Sequence, residues 1–349
     1  MSGKISEKCA TLSLPDIRNQ CETLSVAERF FDSAILFALH DVGAFEALAT
    51  GPKTLDHLHN RVGGELESLR ALLDAAVATK ILTKHESGYS APAALLETLG
   101  RPESRAFIGE WVRFLHVLSR PLLEYADVIR FGKRPGSLFE APSANTAPAQ
   151  RMTAAMDAYA RSRGAEMVER IDFSPTRTLL DLGCGPGTYS LEIVEKCPHV
   201  HAILVDLAGP IEEARHVATR RGMADRVQFV VADILSYEPA QHVDTVLISN
   251  VLHMLGPSSS RRLLARVYDM IVPGGRILVQ AQYLDSSRTA PRWPTLLNLI
   301  QRVATPEGAN HSVDDVIGWL TAAGFEGPQH VHLSAWNVNS VVYARRPST

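Results

Sequence analysis

The chain contains 349 residues, of which 46% are apolar and 21% are charged, and its formal net charge is −3. Such a composition is typical of a folded globular protein with room for two domains, and it excludes an intrinsically disordered chain. The small net charge and the lack of a long basic block in the sequence exclude nucleic acid as an expected partner.

The cysteines and the first residues bear on where the protein resides. Cys9, Cys21, Cys184 and Cys197 have neither the spacing of a zinc module nor that of a disulfide framework, so we expect reduced thiols. The first residues are polar and lack the apolar core of a signal peptide. No stretch approaches the roughly 18 consecutive apolar residues of a membrane span. We therefore expect a cytoplasmic protein without a membrane partner.

The first half of the chain has the periodicity of helices. Apolar residues at helical spacing, punctuated by turn residues, predict a succession of helices followed by a small hairpin. The helices are predicted over residues 24–48, 54–58 and 66–73, and the hairpin over residues 81–84 and 88–90. This order is typical of a winged-helix module. Two or three further helices are predicted within residues 105–130 and 145–170.

From residue 176 onward, short β-rich runs alternate with helical stretches. Strands are predicted over residues 178–181, 202–206, 227–232, 245–249, 276–281 and 340–344. Helices are predicted over residues 188–196, 210–222, 258–271 and 312–323. This alternation predicts an α/β fold with a Rossmann-like, doubly wound parallel sheet. We expect a helical, winged-helix-like domain over residues 1–170 and the sheet domain over residues 171–349.

A glycine-rich loop, DLGCGPG, follows the first predicted strand at residues 181–187. Gly183, Gly185 and Gly187 allow the backbone to turn sharply and to approach a ligand closely. In doubly wound sheets, ligands bind beyond the carboxyl ends of the strands. A tight strand-to-helix turn without any ligand is the alternative, because a glycine loop alone is a weak signal.

Two acids at the ends of the next strands favour a nucleoside-bearing ligand. Asp206 ends the second predicted strand, where an acid can accept hydrogen bonds from both ribose hydroxyls. Asp233 follows the third strand, where it suits the exocyclic amine of an adenine. A nicotinamide-dependent oxidoreductase is the first rival class, but the glycine that its fingerprint requires at the sixth position is absent, because the loop continues as Thr188-Tyr189.

The ordered motifs DLGCGPG, LVD, ADIL, SNVLHML and VPGGRILV resemble those of class I S-adenosylmethionine (SAM)-dependent methyltransferases. With the helical first half, the arrangement is similar to the plant-type small-molecule O-methyltransferases and their bacterial relatives, such as hydroxyneurosporene and polyketide O-methyltransferases. The resemblance covers roughly residues 20–346. It implies SAM as cofactor, and a homodimer whose N-terminal domain also forms part of the substrate wall.

The resemblance implies a role for each motif residue at the cofactor. Gly183, Gly185 and Gly187 would approach the methionine end. The remaining contacts would be Asp206 with Leu207 at the ribose, Asp233 with Ile234 at the adenine, and Asn250 near the sulfonium. Asp181 has two alternatives, either supporting the cofactor amine from behind or capping the adjacent helix.

His253 occupies the position of the catalytic histidine in this family. A hydroxyl acceptor must lose a proton, and a phenol has a pKa of about 10 by analogy with tyrosine. A neutral imidazole is the side chain suited to removing that proton near neutral pH. The alternative is a purely structural histidine at a strand end.

The family pattern is incomplete around this histidine. Plant-type enzymes support it with two glutamates, and this chain has Ala281 and Asn310 at the matching positions, with Gln282 one residue away. Without a carboxylate to fix its tautomer and stabilise its cation, His253 is a weaker base. The acceptor could then be an acidic hydroxyl, or positioning alone could suffice. A third alternative is a thioether sulfur, which has no proton to lose.

The thioether alternative corresponds to an S-methyltransferase acting on an acid such as methylthiohydroxybutyrate, in the dimethylsulfoniopropionate pathway. Its carboxylate would need a cation, for which Arg161 and Arg163 are candidates, although both are typical of solvated helix faces. A further alternative is metal-assisted C-methylation of a 2-oxo acid, with His253 facing His311. Two histidines without a third ligand make a poor zinc site, so we expect no metal.

The resemblance also implies an apolar acceptor pocket. We expect its walls to contain Met152, Met156, Tyr159, Arg163, Trp293, Leu297, Asn310 and His311, with Trp111 and Trp336 nearby. Phe114 and Trp319 are expected in the core instead. A winged-helix regulator with a vestigial cofactor site is the remaining rival, and the intact cofactor motifs argue against it.

Overall fold

The computed structural model describes residues 14–132, 147–334 and 337–349. Cys9, Trp336 and the polar first residues therefore lie outside the described residues. Contacts divide the chain into two compact units, Met1–Phe107 and Ile108–Thr349. The boundary expected after residue 170 differs from this division, and it stays a prediction about domain organisation.

The first unit consists of helices and a small hairpin, as the sequence predicts. Its elements are α1 (Leu14–Ala27), α2 (Phe30–Asp41), α3 (Ala44–Leu48), α4 (Leu55–Val62), α5 (Leu66–Ala78), β1 (Thr83–His85), β2 (Gly88–Ser90) and α6 (Ala93–Leu99). Thr54 caps α4 by accepting a hydrogen bond from the amide of His57. A bridge between Lys53 and Tyr89 adds a third short segment beside the hairpin. Gly88 makes this possible, because a Cβ there would lie 2.1 Å from the carbonyl oxygen of Lys53.

The second unit contains eight helices and seven strands among its described residues. Its helices are α7 (Gly109–Leu123), α8 (Tyr125–Phe131), α9 (Ala147–Arg170), α10 (Thr188–Lys196), α11 (Ala208–Arg220), α12 (Pro257–Met270), α13 (Arg292–Ala304) and α14 (Val313–Ala322). Its strands are β3 (Thr178–Leu182), β4 (His201–Asp206), β5 (Val227–Val231), β6 (Val243–Ser249), β7 (Ile271–Ala281), β8 (Glu326–His332) and β9 (Ser340–Arg345).

The strands form one sheet in the order β5-β4-β3-β6-β7-β9-β8, which confirms the doubly wound α/β fold. The pairs from β5 to β7 are parallel, whereas β9 runs antiparallel to both of its neighbours. The chain reverses its direction of winding at β3, between β4 and β6. The carboxyl ends of these central strands meet at one edge of the sheet, which is where such folds bind ligands.

Each face of the sheet is covered by an apolar cluster. Side chains of α9, α10 and α11 pack on one face, and side chains of α12 and α14 pack on the other. Met167 of α9 is completely buried in the first of these clusters. Helix α9 thus packs with the sheet, which is why contacts assign it to the second unit. No helix of the described ranges is both long and apolar enough to cross a membrane.

Four of the described elements are absent from the sequence-based prediction: α6, most of α1, β8 and α13. Strand β8 lies at the sheet edge, is mostly exposed and contains Gly327-Pro328, so it lacks the apolar alternation of a buried strand. Helix α13 has Pro294 in its first turn, where a missing N–H costs nothing.

Candidate active site

The glycine loop has the conformation that only glycines adopt readily. Gly183, Gly185 and Gly187 have φ angles of 78°, 56° and 76°, in the left-handed region. A Cβ on Gly183 would lie 2.5 Å from Val251 Cγ2, and one on Gly187 would lie 2.8 Å from Leu204 Cδ1. A Cβ on Gly185 would meet nothing within 4 Å. The outer glycines are therefore required by packing, and the middle one faces open space.

The carboxylate of Asp206 holds this loop in place. Its two oxygens accept hydrogen bonds from the amides of Gly185 and Leu207, at 2.8 and 2.7 Å. Burial raises the pKa of Asp206 despite these hydrogen bonds. Each oxygen keeps a second lone pair, so the group can still accept a hydrogen bond from a ligand hydroxyl. Leu207 is 39% exposed beside it.

Asp181 is buried directly behind the glycine loop. One of its oxygens accepts a hydrogen bond from the Ser190 hydroxyl at 2.6 Å, which ties β3 to the first turn of α10. The other oxygen is buried and has no hydrogen-bond partner. Burial raises the pKa of Asp181 to about 7, with a smaller contribution from the nearby charge of Asp206. This contact joins two side chains and is not the expected cap, because the N-terminus of α10 has no side-chain cap. Contact of Asp181 with a cofactor amine stays a prediction.

Asp233 lies on an exposed turn at the end of β5. Its side chain accepts a hydrogen bond from the amide of Leu235 at 2.9 Å, while Ile234 packs partly against the apolar core. The amide of Ala232 donates to the carbonyl of Asp206 at 3.0 Å, so the ends of β4 and β5 are adjacent. Both acids therefore lie on the same edge of the sheet, as the sequence predicts.

Asn250 follows β6 in a left-handed conformation, with φ at 54°. Its backbone amide donates to the carbonyl of Gln280 at 2.9 Å, and its side-chain amide lies 3.4 Å from the Tyr189 hydroxyl. Its Oδ1 is buried without a hydrogen-bond partner. A buried acceptor without a donor is costly, and a bound ligand is one way to satisfy it.

His253 lies on a short 3-10 turn, Leu252–Met254, directly after β6. Its Nδ1 is buried without a hydrogen-bond partner, but the side chain as a whole is only half-buried. Nε2 is therefore the ring nitrogen that can reach an acceptor. Burial lowers the pKa of His253 to about 4, with a further contribution from His311, so the imidazole is neutral near pH 7.

The positions of the two missing glutamates hold other contacts. The Asn310 amide donates to the carbonyls of Gln282 and Pro294, at 2.7 and 2.9 Å. Gln282 Nε2 donates to the Tyr159 hydroxyl at 2.9 Å, and its Oε1 is buried without a partner. Asn310 thus joins the end of β7 to the start of α13. Its contact with an acceptor stays a prediction.

His311 does not form the facing pair of histidines considered for a metal. Its Nε2 lies 3.0 and 3.1 Å from the carbonyl oxygens of Leu252 and Leu255, and its ring packs edge-on against Trp319. No group of three or more histidine, cysteine, aspartate or glutamate side chains among the described residues could hold a metal ion. Trp319 packs against the sheet core, which confirms its predicted place.

Aromatic side chains from three helices meet beside Tyr159. The ring of Trp111 lies 4.5 Å from that of Tyr159 and 6.3 Å from that of Trp293, and the indole N–H of Trp293 is buried without a partner. Phe114 packs with a small apolar cluster on α7 and α13, as predicted. Leu297 of α13 is buried, and Met152 and Met156 of α9 are half-buried.

The two candidate arginines are paired within α9. The Arg163 guanidinium lies 3.6 Å above the Tyr159 ring and donates to the Tyr159 carbonyl at 2.7 Å, and Arg161 forms an ion pair with Asp157. Burial raises the pKa of Tyr159, although Arg163 opposes this shift. A role for either arginine at an acceptor carboxylate stays a prediction.

Tyr189 and Asn339 are site residues that were not predicted from the sequence. The Tyr189 hydroxyl lies beside the Asn250 amide, and Asn339 lies beside the Tyr159 hydroxyl. Asn339 is 1% exposed, bonds to Asn337 through its amide and has an unpartnered Oδ1. A usable signal was Gln280 in the apolar end of β7, with Gln282 just beyond that strand, because buried amides need partners.

Two protein-family models and several known proteins match this chain. A family model described as an O-methyltransferase domain matches residues 117–326, and one described as an O-methyltransferase dimerisation domain matches residues 24–94. The chain is similar to the tetracenomycin polyketide synthesis 8-O-methyl transferase of Streptomyces glaucescens, with 24% identity over 88% of this chain and 92% of that protein. It is also similar to an N,N-dimethyltransferase of Streptomyces rimosus, with 23% identity over 90% of this chain and 93% of that protein.

A solved structure has the same fold. Human N-acetylserotonin methyltransferase, in complex with SAM, matches with a TM-score of 0.84 at 22% identity, over 96% of this chain and 100% of that chain. At this identity the likeness shows the fold alone.

Proposed function

This chain belongs to the O-methyltransferase family, and from that membership we propose that it transfers a methyl group from SAM to a hydroxyl of a small molecule of secondary metabolism. The observation that carries the proposal is the packing of the glycine loop on the turn that bears His253. A Cβ on Gly183 would lie 2.5 Å from Val251, two residues before the histidine. The loop that would hold the methyl donor and the candidate base are thus adjacent.

The residues at this edge of the sheet fit SAM. Gly185 has open space where a side chain would be, the Asp206 carboxylate is held in place by two amides, and Asn250 Oδ1 has no partner. When bound, SAM supplies an electrophilic methyl group on a cationic sulfur. We propose that Gly183, Gly185 and Gly187 hold its methionine end, Asp206 and Leu207 its ribose, Asp233 and Ile234 its adenine, and that Asn250 lies near the sulfur.

His253 would accept the proton of the acceptor hydroxyl at Nε2. Because its pKa is lowered by burial, the imidazole is neutral and ready to accept a proton near pH 7. The same low pKa makes it a weak base, and no carboxylate bonds to Nδ1. We therefore propose an acidic hydroxyl, such as that of an electron-poor phenol, as the acceptor group.

The other acceptor chemistries have less support. The tetracenomycin relative is named for transfer to oxygen and the Streptomyces rimosus relative for transfer to nitrogen, so a thioether is not favoured as the acceptor. Metal-assisted C-methylation has less support, because His311 Nε2 faces two backbone carbonyls and the described residues contain no group of three or more possible metal ligands. We propose that Met152, Met156, Tyr159, Arg163, Trp293, Leu297, Asn310 and His311 surround the acceptor, either by direct contact or from behind.

The match of the dimerisation domain supports a homodimer formed through the first unit. Leu24, Phe30 and Phe31, on α1 and α2, are each more than half exposed. A partner subunit would remove this apolar surface from water. A cytoplasmic location, expected from the cysteine spacing, is part of the same proposal.

The test is a methyl-transfer screen with SAM and a panel of phenols, aliphatic alcohols, amines and thioether acids, followed by release of S-adenosylhomocysteine. We expect turnover on acidic phenols, and none on thioethers. For a phenol that stays un-ionised, the pH profile of kcat should lack a limb near pH 6.5, because the pKa of His253 lies near 4. On that un-ionised phenol, His253→Ala should lower kcat by about 100-fold without weakening S-adenosylhomocysteine binding. Turnover confined to a thioether would overturn the proposal.

A further inference from the structure

The segment between α13 and α14 packs against the turn that bears His253. Glu307 accepts a hydrogen bond from the Ser259 hydroxyl at 2.7 Å, which joins the segment to the first turn of α12. At Gly308 the approach is so close that a Cβ would lie 2.8 Å from the carbonyl oxygen of His253. The segment therefore supports the back of the catalytic turn.

His311 makes the hydrogen bonds between this segment and the turn. Its Nε2 reaches the carbonyl of Leu252 at 3.0 Å and that of Leu255 at 3.1 Å, so one donor spans both ends of the turn. A carbonyl oxygen can only accept, so Nε2 carries the hydrogen in this arrangement. The side chain is 4% exposed, which fixes its orientation.

Other groups hold the His311 ring in that orientation. Trp319 packs edge-on against it at 4.8 Å, and the backbone carbonyl of His311 accepts from the amide of Leu284 at 2.9 Å. The charged groups that act on it are Asp315 and Arg288, which form an ion pair with each other, and the neutral imidazole of His253 is the other titratable group nearby. These contacts hold the ring with Nε2 directed at the Leu252 and Leu255 carbonyls.

We propose that His311 is a positioning residue, whose Nε2–H fixes the Leu252–Leu255 turn so that His253 directs Nε2 to the acceptor hydroxyl. This inference rests on the proposed function, and it explains how His253 keeps its orientation although no carboxylate bonds to its Nδ1. In an enzyme with a supporting carboxylate, that carboxylate holds the imidazole itself. In this chain His311 holds the backbone of the turn that carries the imidazole. Of the two placements proposed for His311, this is the one behind the acceptor, because its Nε2 contacts the turn.

A prediction follows about which acceptors depend on His311. If the turn moves by about 1 Å, proton removal by His253 slows by up to about 100-fold. An acceptor that is already ionised needs no base, so its methylation should hardly change. A merely structural role would slow both acceptors alike.

The experiment compares His311→Phe, His311→Gln and the control Ser312→Ala in the full-length protein. Phenylalanine keeps the ring that packs on Trp319 but has no donor, whereas glutamine keeps a donor for one carbonyl. Ser312→Ala removes the cap of the adjacent α14, formed between Ser312 Oγ and the amide of Asp315, without touching the turn. The two acceptors share one phenol scaffold, and an electron-withdrawing group makes one of them ionised at the assay pH.

We expect His311→Phe to lower kcat by about 10- to 100-fold on the un-ionised phenol and by less than about threefold on the ionised one. His311→Gln should recover part of the loss, Ser312→Ala should stay within about twofold on both phenols, and KM for SAM should not change. Equal losses on both phenols, or full activity of His311→Phe, would overturn the proposal.

The test stays decisive if a variant does not fold or if the wild type is inactive on hydroxyls. If His311→Phe does not fold, His311→Gln carries the comparison, and an equal loss on both phenols again overturns the inference. If the wild-type protein methylates no hydroxyl at all, the proposed function has failed before any variant is measured. The two failures are therefore distinguishable.

Discussion

At the residue scale, the site depends on where glycines and polar atoms have room. Gly183 and Gly185 are two positions apart and share a left-handed backbone, yet a side chain at the first would collide with Val251 and one at the second would enter open space. The same loop therefore has one position that serves folding and one that serves ligand approach. Single substitutions can separate these two uses.

Gly183→Ala should mainly lower the stability of the fold, whereas Gly185→Ala should mainly lower the affinity for the cofactor. We expect Gly183→Ala to lower the free energy of unfolding by about 2–4 kcal/mol, because strain in φ adds to the collision with Val251. Gly185→Ala should cost only about 1–2 kcal/mol of stability from the same φ strain. Its methyl group occupies the space proposed for SAM, so the affinity for S-adenosylhomocysteine should fall by about tenfold or more.

Urea unfolding and titration calorimetry with S-adenosylhomocysteine measure the two effects separately, and each variant serves as the control for the other. Binding by Gly185→Ala at wild-type affinity would show that the cofactor does not approach this part of the loop.

At the scale of elements, α9 is fastened to the connection between β8 and β9. The carboxylate of Glu166 accepts hydrogen bonds from the amide and hydroxyl of Ser334 and from the side chain of Asn337. Burial raises the pKa of Glu166, but the hydrogen bonds from Asn337 and Ser334 outweigh it and hold the pKa below its ordinary value. Asn337 in turn accepts from Asn339, beside the aromatic group around Tyr159.

Glu166→Gln should lower the free energy of unfolding by about 1–2 kcal/mol at pH 7, after allowance for screening by solvent. Because the pKa of Glu166 is lowered by folding, its contribution is fully present above the unfolded pKa of about 4.3 and is lost as the pH falls through the folded value. The variant and the wild type should therefore converge in stability in acid.

Urea unfolding at pH 7 and pH 3.5 is the measurement, and Glu169→Gln, an exposed glutamate on the same helix, is the matched control. A difference between Glu166→Gln and wild type that persists unchanged at the lower pH would contradict the ionic origin of this contact.

At the scale of the whole molecule, the first unit leaves apolar surface exposed. Phe30 and Phe31 stack on each other at 4.2 Å and are 51% and 52% exposed, within the segment that matches the dimerisation domain. Two neighbouring aromatic side chains in water are costly unless another surface covers them. The proposed homodimer supplies that cover.

Replacing both residues, as Phe30→Asp with Phe31→Asp, should convert the dimer to monomer, because two charges would be buried without partners. Light scattering coupled to size exclusion measures the mass. Glu103→Lys changes the charge of the same unit outside residues 24–94 and should leave the dimer intact. A wild-type protein that runs as a monomer would contradict the proposed assembly directly.

The sequence alone determined the doubly wound sheet, the positions of its central strands and the edge where the cofactor motifs gather. These features depend on local signals, namely apolar runs, alternation with helices and glycines at strand ends. Asp206 and Asp233 could be predicted to lie together because parallel strands end at one edge. Helices α2 to α5 and the hairpin were predictable for the same reason, since their periodicity is local.

Only the tertiary structure decided which groups meet across long separations. Strand β8 exists because an exposed segment pairs with β9, and α9 belongs with the sheet because Met167 is buried there, neither of which periodicity reveals. His311 holds two carbonyls more than fifty residues away, and Asn310, at a position where the resembled family has a glutamate, bonds to Gln282 just beyond β7. Local patterns fix the backbone of each element, whereas hydrogen-bond partners depend on how side chains from different elements converge after packing.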